Sequence, residues 1–217
     1  MKKIYYVFLM MAIALAACEK TDQPKEQPEE QPEEQQEPEK PQEPQVYPSS
    51  SITVLSARQG TSTPEDEVCT KLFDGNFYDK WCSVTNFAGT YENRVSGQGG
   101  FDYIIWKTES SIVLCGYMLT TGNDTAEFTD RNWKTWAIYG AAFTGDIEAM
   151  NNPSASGWTL IQRIEDDTVL QPLNNTNYYF EISDNSTAYK YYKLEIEAIQ
   201  STIDNVHQMS EMTLYTL

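Results

Sequence analysis

The sequence is poor in histidine and in basic residues. His207 is the single histidine among 217 residues, and 15 Lys and Arg stand against 32 Asp and Glu, for a net charge of −17. Because polyanion binding needs Lys and Arg to neutralise phosphates, this composition excludes nucleic acid as a partner. One histidine and four cysteines without zinc spacing supply no transition-metal ligand set. No serine lies in a nucleophile signature and no phosphate loop is present, so we predict that the chain is not an enzyme.

The charge and the prolines are distributed unevenly. Residues 19–48 hold nine Glu, seven Gln and seven of the ten prolines, which together make 23 of the 30 positions. Such a segment has almost nothing apolar to bury and cannot offset the entropy of ordering. With Cys18, it predicts a disordered, extended tether over residues 18–48, and a folded domain over residues 49–217.

The N-terminus has the pattern of an export signal. Lys2 and Lys3 precede an apolar run over residues 4–17, which is shorter than the roughly 20 residues that a membrane-spanning helix needs. Its end, Leu15-Ala16-Ala17-Cys18, resembles the bacterial lipobox. The resemblance implies a signal peptide over residues 1–17, a lipid on Cys18 and anchoring in the outer membrane, at the cell surface or on the periplasmic face. An ordinary signal peptide followed by a chance cysteine is the alternative.

Beyond residue 48, short apolar or aromatic runs alternate with clusters of Gly, Asn, Asp and Ser. This pattern predicts an all-β domain, an antiparallel β-sandwich or jelly roll, with one short helix within residues 64–72. The predicted strands cover residues 52–56, 81–84, 103–107, 112–120, 135–139, 158–164, 178–182, 189–198 and 211–216.

Three stretches in this order are similar to the discoidin family, also called the coagulation factor V/VIII type C domain, whose bacterial members include carbohydrate-binding module family 32. The stretches are the turn Asp74-Gly75-Asn76 followed by Trp81, the segment from Arg131 through Trp136 to Tyr139-Gly140, and the strand from Tyr189 to Ile196 with residues 209–214. Two positions depart from the family pattern. Asp79 stands where threonine is usual, and Trp133 stands where proline is common.

The resemblance implies an eight-stranded jelly roll that binds ligands in loops at one end, and a structural calcium site. Calcium takes six to eight oxygen ligands. Asp74, Asn76 and Asp79 share a tight turn, and Glu211 is where the family closes the site. The carboxylate of Asp79 favours a divalent ion or else needs another partner. A turn held by Asx hydrogen bonds alone is the alternative.

With Cys18 assigned to lipid, three cysteines remain. Cys115 lies in an apolar run and Cys82 in a predicted strand, so both are expected as buried thiols. A disulfide between Cys69 and Cys82 is the alternative that export permits.

Sugar recognition needs an aromatic face and planar polar groups for the hydroxyls. Loops rich in these residue types suggest Tyr91, Arg94, Asn123 and His207 as ligand-binding residues. We therefore predict a non-catalytic, surface-anchored module that captures carbohydrate. The alternatives are a protein-interaction or adhesion module with a protein partner, and an accessory component of a glycan-uptake system.

Overall fold

The structure, a computed structural model, describes residues 42–58, 66–84, 102–143, 157–202 and 206–217. These residues form eleven strands and two short 3-10 helices, Ser49–Ser51 and Cys69–Phe73. Within them, no helix has the length and apolar character needed to cross a membrane. The strands are β1 Gln45–Val46, β2 Ile52–Arg58, β3 Trp81–Val84, β4 Asp102–Ile112, β5 Leu114–Thr120, β6 Trp133–Ala141, β7 Thr159–Ile164, β8 Asn177–Glu181, β9 Tyr189–Ile199, β10 Val206–Met209 and β11 Glu211–Thr216.

The strands pair antiparallel throughout. One sheet has the order β1-β11-β5-β8, a second has the order β2-β4-β9-β6-β7, and β10 pairs with β3 in a two-stranded ribbon. Trp106 and Leu194 from the five-stranded sheet and Tyr117 and Leu214 from the four-stranded sheet belong to one buried cluster. Trp136 joins the two sheets, since its Nε1 donates to Tyr117 Oη at 2.8 Å. The predicted antiparallel β-sandwich is confirmed.

Two predicted boundaries differ from the structure. The tether was predicted to extend through residue 48, but β1 pairs with β11 and Tyr47 N donates to Leu214 O at 2.8 Å. Val46 and Tyr47 are the first apolar residues after the Pro- and Glu-rich stretch, and through them this end of the predicted tether joins the four-stranded sheet. The predicted strand over residues 112–120 is divided at Val113, because the chain passes there from the five-stranded to the four-stranded sheet.

The predicted short helix is a 3-10 helix that starts at Cys69. Its Cys69, Leu72 and Phe73 face the core, while Lys71 faces out. Segment 74–80 connects this helix to β3, and loop 121–132 connects β5 to β6. Glu211, the first residue of β11, pairs with Thr120, the last residue of β5. This register brings the start of β11 next to the start of loop 121–132.

Candidate functional site

The turn after the 3-10 helix is built by its own side chains. Gly75 has a φ of +76°, a left-handed conformation that glycine adopts without a steric cost. Asn76 N donates to Asp74 Oδ1 at 2.9 Å, and Tyr78 N donates to Asn76 Oδ1 at 3.2 Å. The turn is therefore two successive Asx turns. Gly75 N also donates to Glu211 Oε2 at 2.9 Å, which fixes the turn to the start of β11.

The predicted metal residues do come together here, but an ammonium group lies between two of them. Lys71 Nζ donates to Asp79 Oδ2 at 2.5 Å and to Asp74 Oδ2 at 3.2 Å. These hydrogen bonds raise the pKa of Lys71, with Asp79 contributing most. Glu211 is 2 % exposed. Its burial, helped by the charges of Asp74 and Asp79, raises the pKa of this carboxyl to about 8.

This arrangement does not fit a calcium ion. Among the described residues, no three Asp, Glu, His or Cys side chains are placed to hold a metal. Both oxygens of Asp74, Oδ2 of Asp79 and Oε2 of Glu211 already accept hydrogen bonds from protein donors. Asp79 Oδ1 is buried and finds no hydrogen-bond partner within the described part of the chain. The departure noted at residue 79 thus has a protein partner, which is Lys71.

A second lysine joins this turn to loop 121–132. Lys80 is 5 % exposed, and its Nζ lies 2.6 Å from Asp124 Oδ2 and 3.6 Å from Glu67 Oε1. Asn123 contacts the same region with both ends of its amide. Its Nδ2 donates to Tyr78 O at 2.9 Å, and its Oδ1 accepts from Lys80 Nζ at 3.4 Å. Asn123, predicted to bind ligand, therefore holds two loops together at the exposed surface.

Three aromatic side chains project from these two loops. Tyr78 is 78 % exposed, Phe77 40 % and Phe128 38 %. The guanidinium carbon of Arg131 lies 3.7 Å from the centroid of the Phe128 ring. Our sequence reasoning missed all three rings. The pair Phe77-Tyr78 inside an otherwise polar turn could have indicated exposed rings, because side chains in a turn do not belong to the buried face of a strand.

His207 lies in the core rather than on a loop. Its ring is fully buried in strand β10, with its centroid 4.7 Å from that of Trp81. Trp133 Nε1, which can only donate, bonds to His207 Nδ1 at 3.2 Å. His207 Nε2 therefore carries the proton and donates to Asp102 Oδ2 at 3.1 Å. Both ring nitrogens are used by the core, so this histidine has no free nitrogen to offer a ligand.

No family model and no curated protein matches this chain. Solved structures do match it. An F5/8 type C domain from Bacteroides fragilis has a TM-score of 0.54 at 15 % identity, covering 79 % of this chain and 95 % of that domain. A family 32 carbohydrate-binding module from a family 31 glycoside hydrolase of Clostridium perfringens has a TM-score of 0.53 at 13 % identity, covering 79 % and 95 %. This chain has the F5/8 type C fold.

Another family 32 module from Clostridium perfringens, solved in complex with GalNAc-β-1,3-galactose, matches with a TM-score of 0.50 at 9 % identity, covering 78 % of this chain and 99 % of the module. The predicted discoidin-like jelly roll is confirmed as a fold. At these identities the likeness shows the fold alone.

The predicted ligand-binding residues thus have three different positions. Asn123 lies at the loop surface beside Tyr78. His207 lies in the core. Tyr91 and Arg94 lie outside the described residues. Cys69, Cys82 and Cys115 are buried thiols, so the alternative disulfide between Cys69 and Cys82 is not formed.

Proposed function

We propose that this domain binds carbohydrate without catalysing a reaction, and that the Tyr78 ring is a stacking surface for a sugar. The observation that carries the proposal is the exposure of Tyr78, at 78 %, on a backbone held from two sides. Tyr78 N donates to Asn76 and Tyr78 O accepts from Asn123. A ring presented on a fixed backbone loses little freedom when a ligand covers it, which favours binding.

The groups around Tyr78 suit a polyhydroxylated ligand. Asn123 lies on the adjoining loop and is exposed to solvent. Its amide uses one N–H and one lone pair in the bonds to Tyr78 and Lys80, so one N–H and one lone pair remain for a ligand hydroxyl. Aromatic rings pack on the C–H face of a pyranose. The fold gives independent support, because modules that share it include one solved in complex with GalNAc-β-1,3-galactose.

We also propose that the domain is held at the outer membrane by a lipid on Cys18. Support comes from the sequence Leu15-Ala16-Ala17-Cys18 after a short apolar run and a basic start. The Pro- and Glu-rich segment would then separate the domain from the membrane surface, at about 3 Å per residue where it is polyproline-like.

Carbohydrate binding can be tested with the full chain carrying Cys18→Ser. A glycan array followed by titration calorimetry with the glycan that binds best measures the affinity. Tyr78→Ala should weaken binding about tenfold or more, since roughly 1.4 kcal/mol corresponds to one decade in Kd. Tyr179→Ala is the matched control, because Tyr179 is 47 % exposed but lies on β8 of the four-stranded sheet.

Two results would contradict the proposal. One is that no glycan binds while a defined protein partner is captured, which would make the domain a protein-interaction module. The other is that Tyr78→Ala and Tyr179→Ala leave the glycan Kd equally unchanged.

The anchor is tested separately by fractionation. The unmodified chain should be found in the outer-membrane fraction, and Cys18→Ser should release it to the soluble fraction. Release of neither protein, or of both, would contradict the lipid anchor.

A further inference from the structure

The Asp-Gly-Asn turn brings three acidic side chains, Asp74, Asp79 and Glu211, to one place. We propose that the ammonium group of Lys71 serves there as a covalently attached cation, in place of the calcium ion that the family resemblance implies. The domain would then be stable without calcium. This inference concerns stability and is independent of whether the domain binds sugar.

The position of Lys71 is fixed by the 3-10 helix that carries it. Its neighbours Cys69, Leu72 and Phe73 are buried in the core, which leaves the Lys71 side chain directed over the turn. From there Nζ reaches Asp79 Oδ2 at 2.5 Å and Asp74 Oδ2 at 3.2 Å. One ammonium group thereby joins the first and the sixth residue of the turn, which is the structural task of a bridging cation.

The ammonium group of Lys71 compensates the additional carboxylate of Asp79. Asp79 stands where the family usually has threonine, so this chain carries one more negative charge than the family pattern. The side chains of Lys71, Asp74 and Asp79 are each between 25 % and 30 % exposed. At this partial burial, two carboxylates that share no cation would repel one another. Lys71 supplies the charge that offsets the substitution at residue 79.

The remaining hydrogen bonds leave few oxygens for a metal. Calcium needs six to eight oxygen ligands at about 2.3–2.6 Å. Here Asp74 Oδ1 accepts from Asn76 N, and Glu211 Oε2 accepts from Gly75 N, both at 2.9 Å. A calcium ion would have to displace the ammonium group of Lys71, and it would be repelled by that group.

The test is thermal unfolding of the full chain with 2 mM EDTA and with millimolar calcium chloride. We expect the Tm of the unmodified chain to be the same in both. Lys71→Met should lower the Tm in EDTA by about 4 °C or more, and calcium should restore part of this loss, because the carboxylates then lack their cation. Lys134→Met is the matched control, since Lys134 also pairs with an aspartate, Asp166, at 3.3 Å, but on the exposed surface.

A double variant tests the charge balance. Adding Asp79→Asn to Lys71→Met removes the unmatched carboxylate, so it should recover most of the lost Tm in EDTA and abolish the response to calcium.

Binding of calcium to the unmodified chain, seen as a saturable rise in Tm or as heat in titration calorimetry, would overturn the proposal even if the Lys71 variants failed to fold. A Lys71→Met protein whose Tm equals that of the unmodified chain in EDTA would also overturn it.

Discussion

At the scale of the residue, Gly140 and Gly116 each face a tyrosine side chain, and the two side chains differ in their freedom to move. A Cβ built on Gly140 would lie 2.3–2.8 Å from ring atoms of Tyr189, which is buried against Tyr192. A Cβ on Gly116 would lie 2.2 Å from the hydroxyl of Tyr179, the far end of a side chain that is 47 % exposed.

We therefore expect Gly140→Ala to destabilise the domain by about 1–3 kcal/mol, the usual cost of overpacking a core. Gly116→Ala should change stability by less than about 0.5 kcal/mol, because Tyr179 can turn away and a glycine in a strand is itself unfavourable. Urea unfolding of both variants measures the difference. Equal losses in the two variants would contradict this account.

His207 illustrates a polar residue whose contacts are all internal. Replacement by phenylalanine keeps a ring between Trp81 and Trp133 but leaves the Trp133 N–H and the Asp102 carboxylate without their partner. We expect a loss of about 3 kcal/mol, because a buried N–H and a buried carboxylate each lose a hydrogen-bond partner. The glycan affinity of the folded fraction should be unchanged, measured by titration calorimetry beside urea unfolding. A stable His207→Phe protein with lost glycan binding would show instead that His207 contacts ligand.

At the scale of the element, loop 121–132 and the turn 74–80 form one connected surface through Lys80. Its Nζ bonds Asp124, and Asn123 bonds the backbone of Tyr78.

Strand β9 also carries a buried lysine with an acidic partner. Its apolar Leu194 and Ile196 face the core, as the alternation predicts, yet Lys193 on the opposite face is also buried and bonds Glu195 at 2.7 Å. Burial lowers the pKa of Lys193 although Glu195 opposes this.

Lys80→Met should loosen loop 121–132 because it leaves Asp124 without its cation. We expect a loss of about 2 kcal/mol, less than for a fully buried pair because Asp124 is partly exposed. Hydrogen exchange should become faster at the amides of Glu127 and Phe128, which donate to Asp124 O. Lys134→Met, at an exposed pair, should cost less than about 0.5 kcal/mol. Unchanged exchange in the Lys80 variant would contradict this role.

At the scale of the whole molecule, the packing of the sandwich protects all three cysteines of its described part. Cys69, Cys82 and Cys115 are buried thiols on the 3-10 helix, β3 and β5. Burial is the main cause that raises the pKa of each, and for Cys82, with the charge of Glu67 adding to it, to about 12. The thiolate is the reactive form, so folding suppresses thiol chemistry.

Two measurements on the Cys18→Ser chain check this. A thiol reagent at pH 8 should label these cysteines only after unfolding. The raised pKa of Cys82 also determines the direction in which folding stability changes with pH. The unfolded chain releases the thiol proton near pH 9, whereas the folded chain retains it to about pH 12. Stability should therefore fall as the pH rises above about 9, and Cys82→Ala should reduce that slope. Rapid labelling in native buffer would contradict the burial.

Much of the architecture could be predicted because most strands are recognisable from short apolar or aromatic runs bounded by turn-forming residues. The limits of β3 and β11 agree with the predictions, and β9 differs by one residue at its end. Strands β1 and β10 were missed because two and four residues carry no measurable alternation, and they exist only through pairing with β11 and β3. The break at Val113 was missed because one apolar run supplies strands to two sheets.

For the candidate site, sequence alone determined which acids share the Asp-Gly-Asn turn, since their spacing is local. It could not determine that the ammonium group of Lys71 bridges Asp74 and Asp79, that Lys80 and Asn123 join two loops, or that His207 is in the core. The Lys71 bridge is local in sequence but depends on the direction in which the 3-10 helix points the side chain. The other two facts depend on contacts between residues distant in the chain, such as Asn123 with Tyr78 and Asp102 with His207. The shortage of histidine and basic residues excluded whole classes of chemistry, and the tertiary structure decided what the few remaining cations and the one histidine contact.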